Sequence, residues 1–308
     1  MEHQIRFPHL GIVLKNVGDG INIGGFEIKY YGIIIATGFL LGLIVSYYAA
    51  KHENKFDPEL VFDYLIAMII PAIVGARLYY VIFSWDYYKN HLDELLNIRQ
   101  GGIAIYGAVI GGFLTLLVFC KIRKQNFFLI SDIAVLGLLV GQIMGRWGNF
   151  TNREVFGHYT DSLFAMRLPI EAVRSADITP DIAAHITDGI NYIQVHPTFL
   201  YESVLNLLLL IVLLLYTKHK KFNGEIALGY LGGYGIIRFF VEGIRTDQLK
   251  IGSTGIAVSQ LLGMVLFIAA ILTDVIVRIY RRKKGLQELP QKAAVVQNKV
   301  ENDEKQDE

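Results

Sequence analysis

Three stretches of this chain carry arginine, glutamate, asparagine and tyrosine at helical spacing within otherwise apolar surroundings. Gln142, Arg146 and Asn149 stand at i, i+4 and i+7 around the run GRWGNFTNREVFG, so they share one helix face. Tyr234, Arg238, Glu242 and Arg245 are spaced in the same way in YGIIRFFVEGIRTDQ, and His196-Pro197 opens another apolar stretch with Tyr201 and Glu202 in its first turns. Arg77 lies near the end of one further apolar segment, and GGIAIYGAVIGG places Tyr106 at the start of another. A planar guanidinium binds phosphate through two parallel N–H bonds, so clustered arginines in such a setting point to an anionic ligand such as a phospholipid headgroup. The plainer alternative is that Arg77, Arg146 and Arg238 pair with Glu202 and Glu242 or reach back to the headgroups. Three arginines at similar depth, with Tyr, Asn and Gln between them, outnumber what neutralisation by those two carboxylates requires, which favours a ligand.

The elements that must position these residues follow from composition. The 308 residues are 53% hydrophobic and 19% charged, with a mean hydropathy of +0.41, too apolar for an ordinary soluble domain. A single cysteine excludes a disulfide scaffold or a Cys-rich zinc module, and a formal net charge of +1 gives no basic excess for nucleic acid. The amino terminus lacks a signal-peptide layout, so membrane entry is expected through internal spans. Seven segments approach the roughly 20 apolar residues that cross a bilayer: about 30 to 50, 61 to 83, 103 to 121, 130 to 148, 197 to 217, 225 to 243 and 256 to 279. Each must be a helix, because lipid offers the backbone no partners. The expected class is therefore all-α, a polytopic membrane protein with seven transmembrane helices.

Basic residues fix the expected orientation. Lys51 and Lys55, then Lys121, Arg123 and Lys124, then Lys218, Lys220 and Lys221, and finally Arg278 with Arg281 to Lys284 follow alternate spans. The positive-inside rule places those exits in the cytoplasm, with the amino terminus outside and the carboxyl terminus inside. Arg77, Arg146 and Arg238 then fall towards the outer leaflet. Residues 1–29 read as an extracytoplasmic arm and 30–282 as the transmembrane catalytic domain, with a small extracytoplasmic cap at about 150–195 that includes Asp177, Asp181 and Asp188. Residues 283–308 read as a disordered cytoplasmic tail. Gly137, Gly141 and Gly145, like Gly107 with Gly111 and Gly229 with Gly233, recur every fourth residue and predict close helix packing.

Other chemistries lack their motifs. There is no GxSxG, GxxxxGK[ST] or HExxH, and the eight histidines show no ligand spacing, so neither a metal nor another cofactor is expected. Cys120 falls at the cytoplasmic end of its span and reads as a small apolar residue. His196 could simply start a helix before Pro197, and Asn152 and Gly157 could be turn residues. A transporter or flippase for an anionic lipid or small anion would also want arginines in a membrane cavity. Its site should lie near the midplane with polar residues continuing to both sides, whereas the inner halves of these spans are almost purely apolar.

GRWGNFTNREVFG resembles the signature of the bacterial phosphatidylglycerol:prolipoprotein diacylglyceryl transferase family. Gly145, Arg146, Gly148, Asn149, Asn152, Glu154 and Gly157 fall on that pattern; His196-Pro197 through Tyr201-Glu202 resembles the next block, and Tyr234, Arg238, Glu242 and Arg245 the last. The resemblance runs from about residue 25 to 280. It implies transfer of the diacylglyceryl group of phosphatidylglycerol to the lipobox cysteine of a prolipoprotein signal peptide, in the bacterial cytoplasmic membrane. It further implies that Arg146 and Arg238 bind phosphate and stabilise the transition state, that Asn149 and Asn152 orient the headgroup, and that Glu154 and Gly157 shape the loop. His196, Glu202, Tyr234, Glu242 and Arg245 are carried over as substrate-binding residues. Many members have a histidine where this chain has Tyr106. A phenol is a poor base at neutral pH, so Tyr106 is expected to position substrate or leaving group rather than to be an obligatory base.

Overall fold

The computed structural model describes residues 4–53, 56–98, 101–186, 189, 191–252, 255–286 and 289. Lys55, Asp188 and most of the expected disordered tail lie outside the described residues. In chain order the elements are β1 (Ile5–Phe7), β2 (Ile12–Leu14), β3 (Gly20–Ile23), β4 (Phe26–Lys29), α1 (Tyr30–Lys51), α2 (Leu60–Phe83), α3 (Trp85–Tyr88), α4 (Ile105–Arg123), α5 (Phe127–Asn152), β5 (Met166–Pro169), α6 (Pro180–Ala183), β6 (Tyr192–Val195), α7 (Thr198–Tyr216), α8 (Glu225–Gly243) and α9 (Val258–Lys283). Among the described residues six helices, α1, α2, α4, α5, α7 and α9, are long and apolar enough to cross a membrane, the make-up of a polytopic membrane protein. The remaining expected span, 225–243, is helical as α8 but stands outside those six.

The chain divides into two compact units, Met1–Gly42 with Val135–Glu308, and Leu43–Ala134. In the second, α2 lies against α4. Gly107 and Gly111 admit the backbone of Gly75 and Pro71, as their spacing predicts. Ala50, Phe56, Val61, Leu116, Phe119, Ile130 and Ile133 form a core that also buries Cys120. Arg77 is 6% exposed and donates to the carbonyls of Glu94 (2.6 Å), Gly102 (2.7 Å), Leu95 (2.8 Å) and Gly101 (3.3 Å). It therefore satisfies a loop whose carbonyls have no ladder of their own.

The first unit corrects the all-α expectation. Strands β2-β1-β5-β6 make an antiparallel sheet, with Arg6 opposite Arg167 and Met166 opposite Val195, and β3 pairs with β4 in a separate hairpin. These segments have only three or four residues each, and their backbone groups find their partners laterally. Ile5, Phe7, Phe156, Met166, Leu168, Ile182, Ile193 and Val195 form the core of this sheet region. Among the helices, α8 lies against α9 where Gly235 and Gly263 meet: a Cβ on either would stand 2.5 Å from the other's carbonyl oxygen. Gly137 meets Gly42 across α1 and α5, with a Cβ at Gly42 falling 2.7 Å from the Gly137 oxygen. Gly229 and Gly233 receive the side chains of Leu213 and Leu209. The packing expected of Gly141 and Gly145 is not found: a Cβ at Gly141 would meet nothing within 4 Å, and one at Gly145 only Ile35, at 3.8 Å.

Candidate functional site

Helices α5, α7 and α8 are joined through one carboxylate. Glu202, 1% exposed, accepts from Nη2 of Arg146 on α5 at 2.9 Å and from Nη1 of Arg238 on α8 at 3.0 Å. The Tyr234 hydroxyl donates to it at 3.4 Å. Arg238 also pairs with Glu242, four residues on and hence on the same helix face. Arg245 Nη1 lies 3.4 Å from Glu242, while its Nε and Nη2 form a bidentate pair with Asp247 at 3.0 and 2.8 Å. One turn below Arg146, the Gln142 amide donates to the Tyr230 hydroxyl at 2.9 Å. The side chains of Arg146 and Arg238 keep 18% and 13% exposure. They are partly accessible, whereas their common carboxylate is enclosed.

The loop after α5 follows from how that helix stops. Arg153 takes the left-handed conformation, φ 53°. The amide of Arg153 then donates to the Phe150 carbonyl, and that of Glu154 to the Asn149 carbonyl, each at 3.1 Å. This is a Schellman ending, in which glycine usually occupies the left-handed position. The ending normally carries an apolar contact between its third-last helical residue and the residue two past the cap. Here Asn149 instead donates to Glu154 at 2.9 Å, with Asn152 adding a bond at 3.3 Å. Asn149 in turn accepts from Arg146 at 3.0 Å. A run of polar bonds thus leads from Asn152 through Glu154, Asn149, Arg146 and Glu202 to Arg238, Glu242 and Arg245. Val155, also left-handed at φ 61°, is a strained choice for a β-branched residue.

Gly157 and His196 close the lower edge of this run by main chain. The Gly157 amide donates to the His196 carbonyl at 3.0 Å, and Gly157 bridges to Arg245. A side chain at Gly157 would stand 2.7 Å from the Ile244 carbonyl oxygen and 2.8 Å from the His196 Cβ. His196 Nδ1 lies 3.3 Å from the Tyr201 hydroxyl. Burial, and then the charge of His158, push the His196 imidazole below its ordinary pKa. Burial alone would raise the Asp247 carboxyl, but the Arg245 hydrogen bond and charge outweigh it and hold the group below the usual carboxylate range. Among the described residues no group of three or more His, Cys, Asp or Glu side chains is placed to hold a metal ion.

Of the residues singled out in the sequence, Arg146, Asn149, Asn152, Glu154, Gly157, His196, Glu202, Tyr234, Arg238, Glu242 and Arg245 thus lie together. Tyr106 belongs to the Leu43–Ala134 unit, in the first turn of α4, with its ring 6.1 Å from that of Tyr79. The arginines do not outnumber their partners as expected. Arg77 is committed to carbonyls in that other unit, and Arg146 and Arg238 are matched by Glu202 and Glu242. Three contributors escaped the sequence reading. Asp247 supports Arg245, and Arg153 is described below. Tyr31 of α1 packs its ring where a Cβ at Gly148 would stand 2.8 Å away. Its signal was Gly148, the second glycine of the GRWG run, which reads as helix packing until its occupant is known.

The ordered polar blocks that build this site are what known relatives can be asked to match. The sequence profile of the family described as prolipoprotein diacylglyceryl transferase matches residues 20–276. A phosphatidylglycerol–prolipoprotein diacylglyceryl transferase of Listeria monocytogenes serotype 4b is 42% identical over 264 residues, 86% of this chain and 89% of its own length. Proteins of the same name from Finegoldia magna (41% over 255 residues, 82% and 93%) and Limosilactobacillus reuteri (42% over 271 residues, 85% and 90%) are similarly close. The matched span contains every residue of the Glu202 network, and the chain belongs to the prolipoprotein diacylglyceryl transferase family.

Proposed function

We propose that this protein transfers the diacylglyceryl group of phosphatidylglycerol to the thiol of a lipobox cysteine in a prolipoprotein signal peptide, forming a thioether and releasing glycerol phosphate. The observation that carries this reading, in a chain of this family, is the bridging of Arg146 and Arg238 by the single carboxylate of Glu202. Two guanidinium groups held by one buried carboxylate are within reach of one phosphate, and each has five N–H donors to share between them. The acceptor sulfur attacks the glyceryl carbon, the carbon–oxygen bond to phosphate breaks, and the phosphate oxygen keeps the electron pair while the thiol proton is released. Charge therefore grows on the phosphate in the transition state, where fixed guanidinium donors in a water-poor site stabilise it most. The same positive charges favour the thiolate of the acceptor.

Arg146 and Arg238 are the catalytic pair. Asn149 and Asn152 orient the headgroup, Glu154 and Gly157 shape its loop, and Glu202 and Glu242 aim the arginines, with His196, Tyr234 and Arg245 completing the substrate site. Tyr106 positions substrate or leaving group. The site opens towards the outer leaflet of the bacterial cytoplasmic membrane, where both the lipid donor and the outward end of a signal-peptide helix are found. That placement goes with seven spans including α8, an outer amino terminus and outer cap, and an inner carboxyl terminus, as supported by the basic clusters after alternate spans. The test is direct: purified protein, phosphatidylglycerol vesicles and a lipobox peptide should yield a diacylglyceryl-thioether peptide by mass spectrometry. Lipid movement across the bilayer without thioether product would replace this reading with that of a flippase.

A further inference from the structure

Arg153 occupies a left-handed position that glycine would take at no steric cost. For a residue with a Cβ that conformation costs roughly 1–2 kcal/mol, so its side chain must do something that glycine cannot. Arg153 is 4% exposed. Its Nη1 donates to Asp19 Oδ1 at 2.9 Å and to the Thr151 carbonyl at 3.3 Å, and its Nη2 donates to the Val17 carbonyl. Asp19 is itself the base of the β3–β4 hairpin, since its carbonyl accepts from the Tyr30 amide at 2.8 Å where the hairpin passes into α1. One side chain thus fastens the end of α5, with Asn149 and Asn152, and the loop after it, with Glu154, to the amino-terminal hairpin, well over 100 residues away in the chain. Arg146 touches this segment through Asn149, but its charge partner, Glu202 of α7, lies outside it.

We propose that Arg153 is a positioning residue of the headgroup site: its clasp on Asp19 and Val17 makes the β3–β4 hairpin the support against which the end of α5 and the loop after it, from Asn149 to Glu154, are held for the lipid headgroup. This rests on the function proposed above. Because the clasp holds the loop and not the arginine pair, its loss weakens binding of the lipid donor and leaves the chemical step largely intact.

Arg153→Gly separates side chain from backbone, since glycine keeps the Schellman ending without strain. The first measurement is hydrogen–deuterium exchange of the full protein in detergent without substrate. Arg153→Gly should speed exchange in the peptides covering 17–22 and 149–157 together and leave those of α8 and α9 unchanged. The second is kinetic: KM for phosphatidylglycerol should rise about tenfold while kcat stays within about threefold. Arg153→Lys, which keeps the charge but lacks the fork needed to reach Asp19 and Val17 at once, should fall between. Asp19→Asn should add little on top of Arg153→Gly. Unchanged exchange in both peptides overturns the clasp, and faster exchange with unchanged KM, or with kcat and KM unmoved relative to each other, overturns the positioning role. If wild-type protein forms no thioether, the proposed function fails, while the exchange result still decides whether the clasp exists.

Discussion

At the scale of single residues, the site is an ionic network in which each of its arginines has a carboxylate partner, which sharpens what its members are expected to do. Arg146→Ala and Arg238→Ala should each lower transfer at least about 100-fold, since each removes a donor from charge that grows on the phosphate. Lysine at either position should restore only part of the rate, because the charge returns without the fork. Near-normal thioether formation by both alanine variants would leave the arginines as structural ion-pair partners. Glu202→Gln should also cost stability, on the order of 3–5 kcal/mol, because two guanidinium groups lose an enclosed partner; thermal unfolding in detergent measures it. His196 contributes in the same sense as a paired carboxylate, but in a higher pH window. Its folded pKa lies below the ordinary value near 6.5, so the unfolded chain binds more protons as pH falls through 6.5. Stability from this group is complete above that pH and is lost below it. The apparent Tm should therefore drop between pH 7.5 and 5.5, and His196→Gln should flatten the drop. Tyr106→Phe should be impaired yet measurably active, well above Arg146→Ala, and Tyr106→His should retain activity. A Tyr106→Phe protein that is folded and binds lipid but is as inactive as Arg146→Ala would make the phenol an essential proton-transfer group.

At the scale of elements, helix positions were legible because a bilayer allows few alternatives. Expected spans and observed helices agree to within a few residues. The differences have local causes: α5 begins at Phe127 because Asn126 accepts from the amides of Phe128 and Leu129 at 2.9 and 3.2 Å, an N-cap that hydropathy does not weigh. The short strands were not legible, since three or four residues show no dependable period, and their pairing joins segments as distant as Arg6 and Arg167. Glycine spacing revealed some close approaches and not others. Period four says which residues share a face, but not whether another backbone lies opposite. The Gly235–Gly263 contact is the clearest case, and it yields a contrast. Gly263→Val should destabilise the α8–α9 pair by about 1–3 kcal/mol, as overpacking does, whereas Gly141→Ala, facing open space, should be neutral or slightly stabilising through helix propensity. Equal loss of thermal stability in the two variants would contradict the packing described for them.

At the scale of the whole molecule, the sequence indicated which polar residues come together better than it indicated how they are joined. Helical spacing assembled Arg146, Asn149, Arg238 and Glu242 correctly. Depth alone counted Arg77 among arginines free for an anion, whereas its guanidinium is committed to loop carbonyls; the two kinds of arginine look alike in sequence. Orientation is the property on which the direction of the site depends, and it follows from charge distribution along the chain rather than from any single contact. Basic residues near Lys51, Lys121, Lys218 and Arg281 should remain on the side of synthesis, since moving them across costs both desolvation and the membrane potential. In protein with Cys120 replaced, a single cysteine near Lys220 should react with an impermeant thiol reagent only after the membrane is opened, and one near Asp177 should react in intact cells. Labelling of the Lys220 site from outside would invert the topology. The arginine pair would then face the cytoplasmic leaflet, away from the outward end of a signal-peptide helix, and the proposed meeting of phosphate and acceptor thiol would lose its geometry.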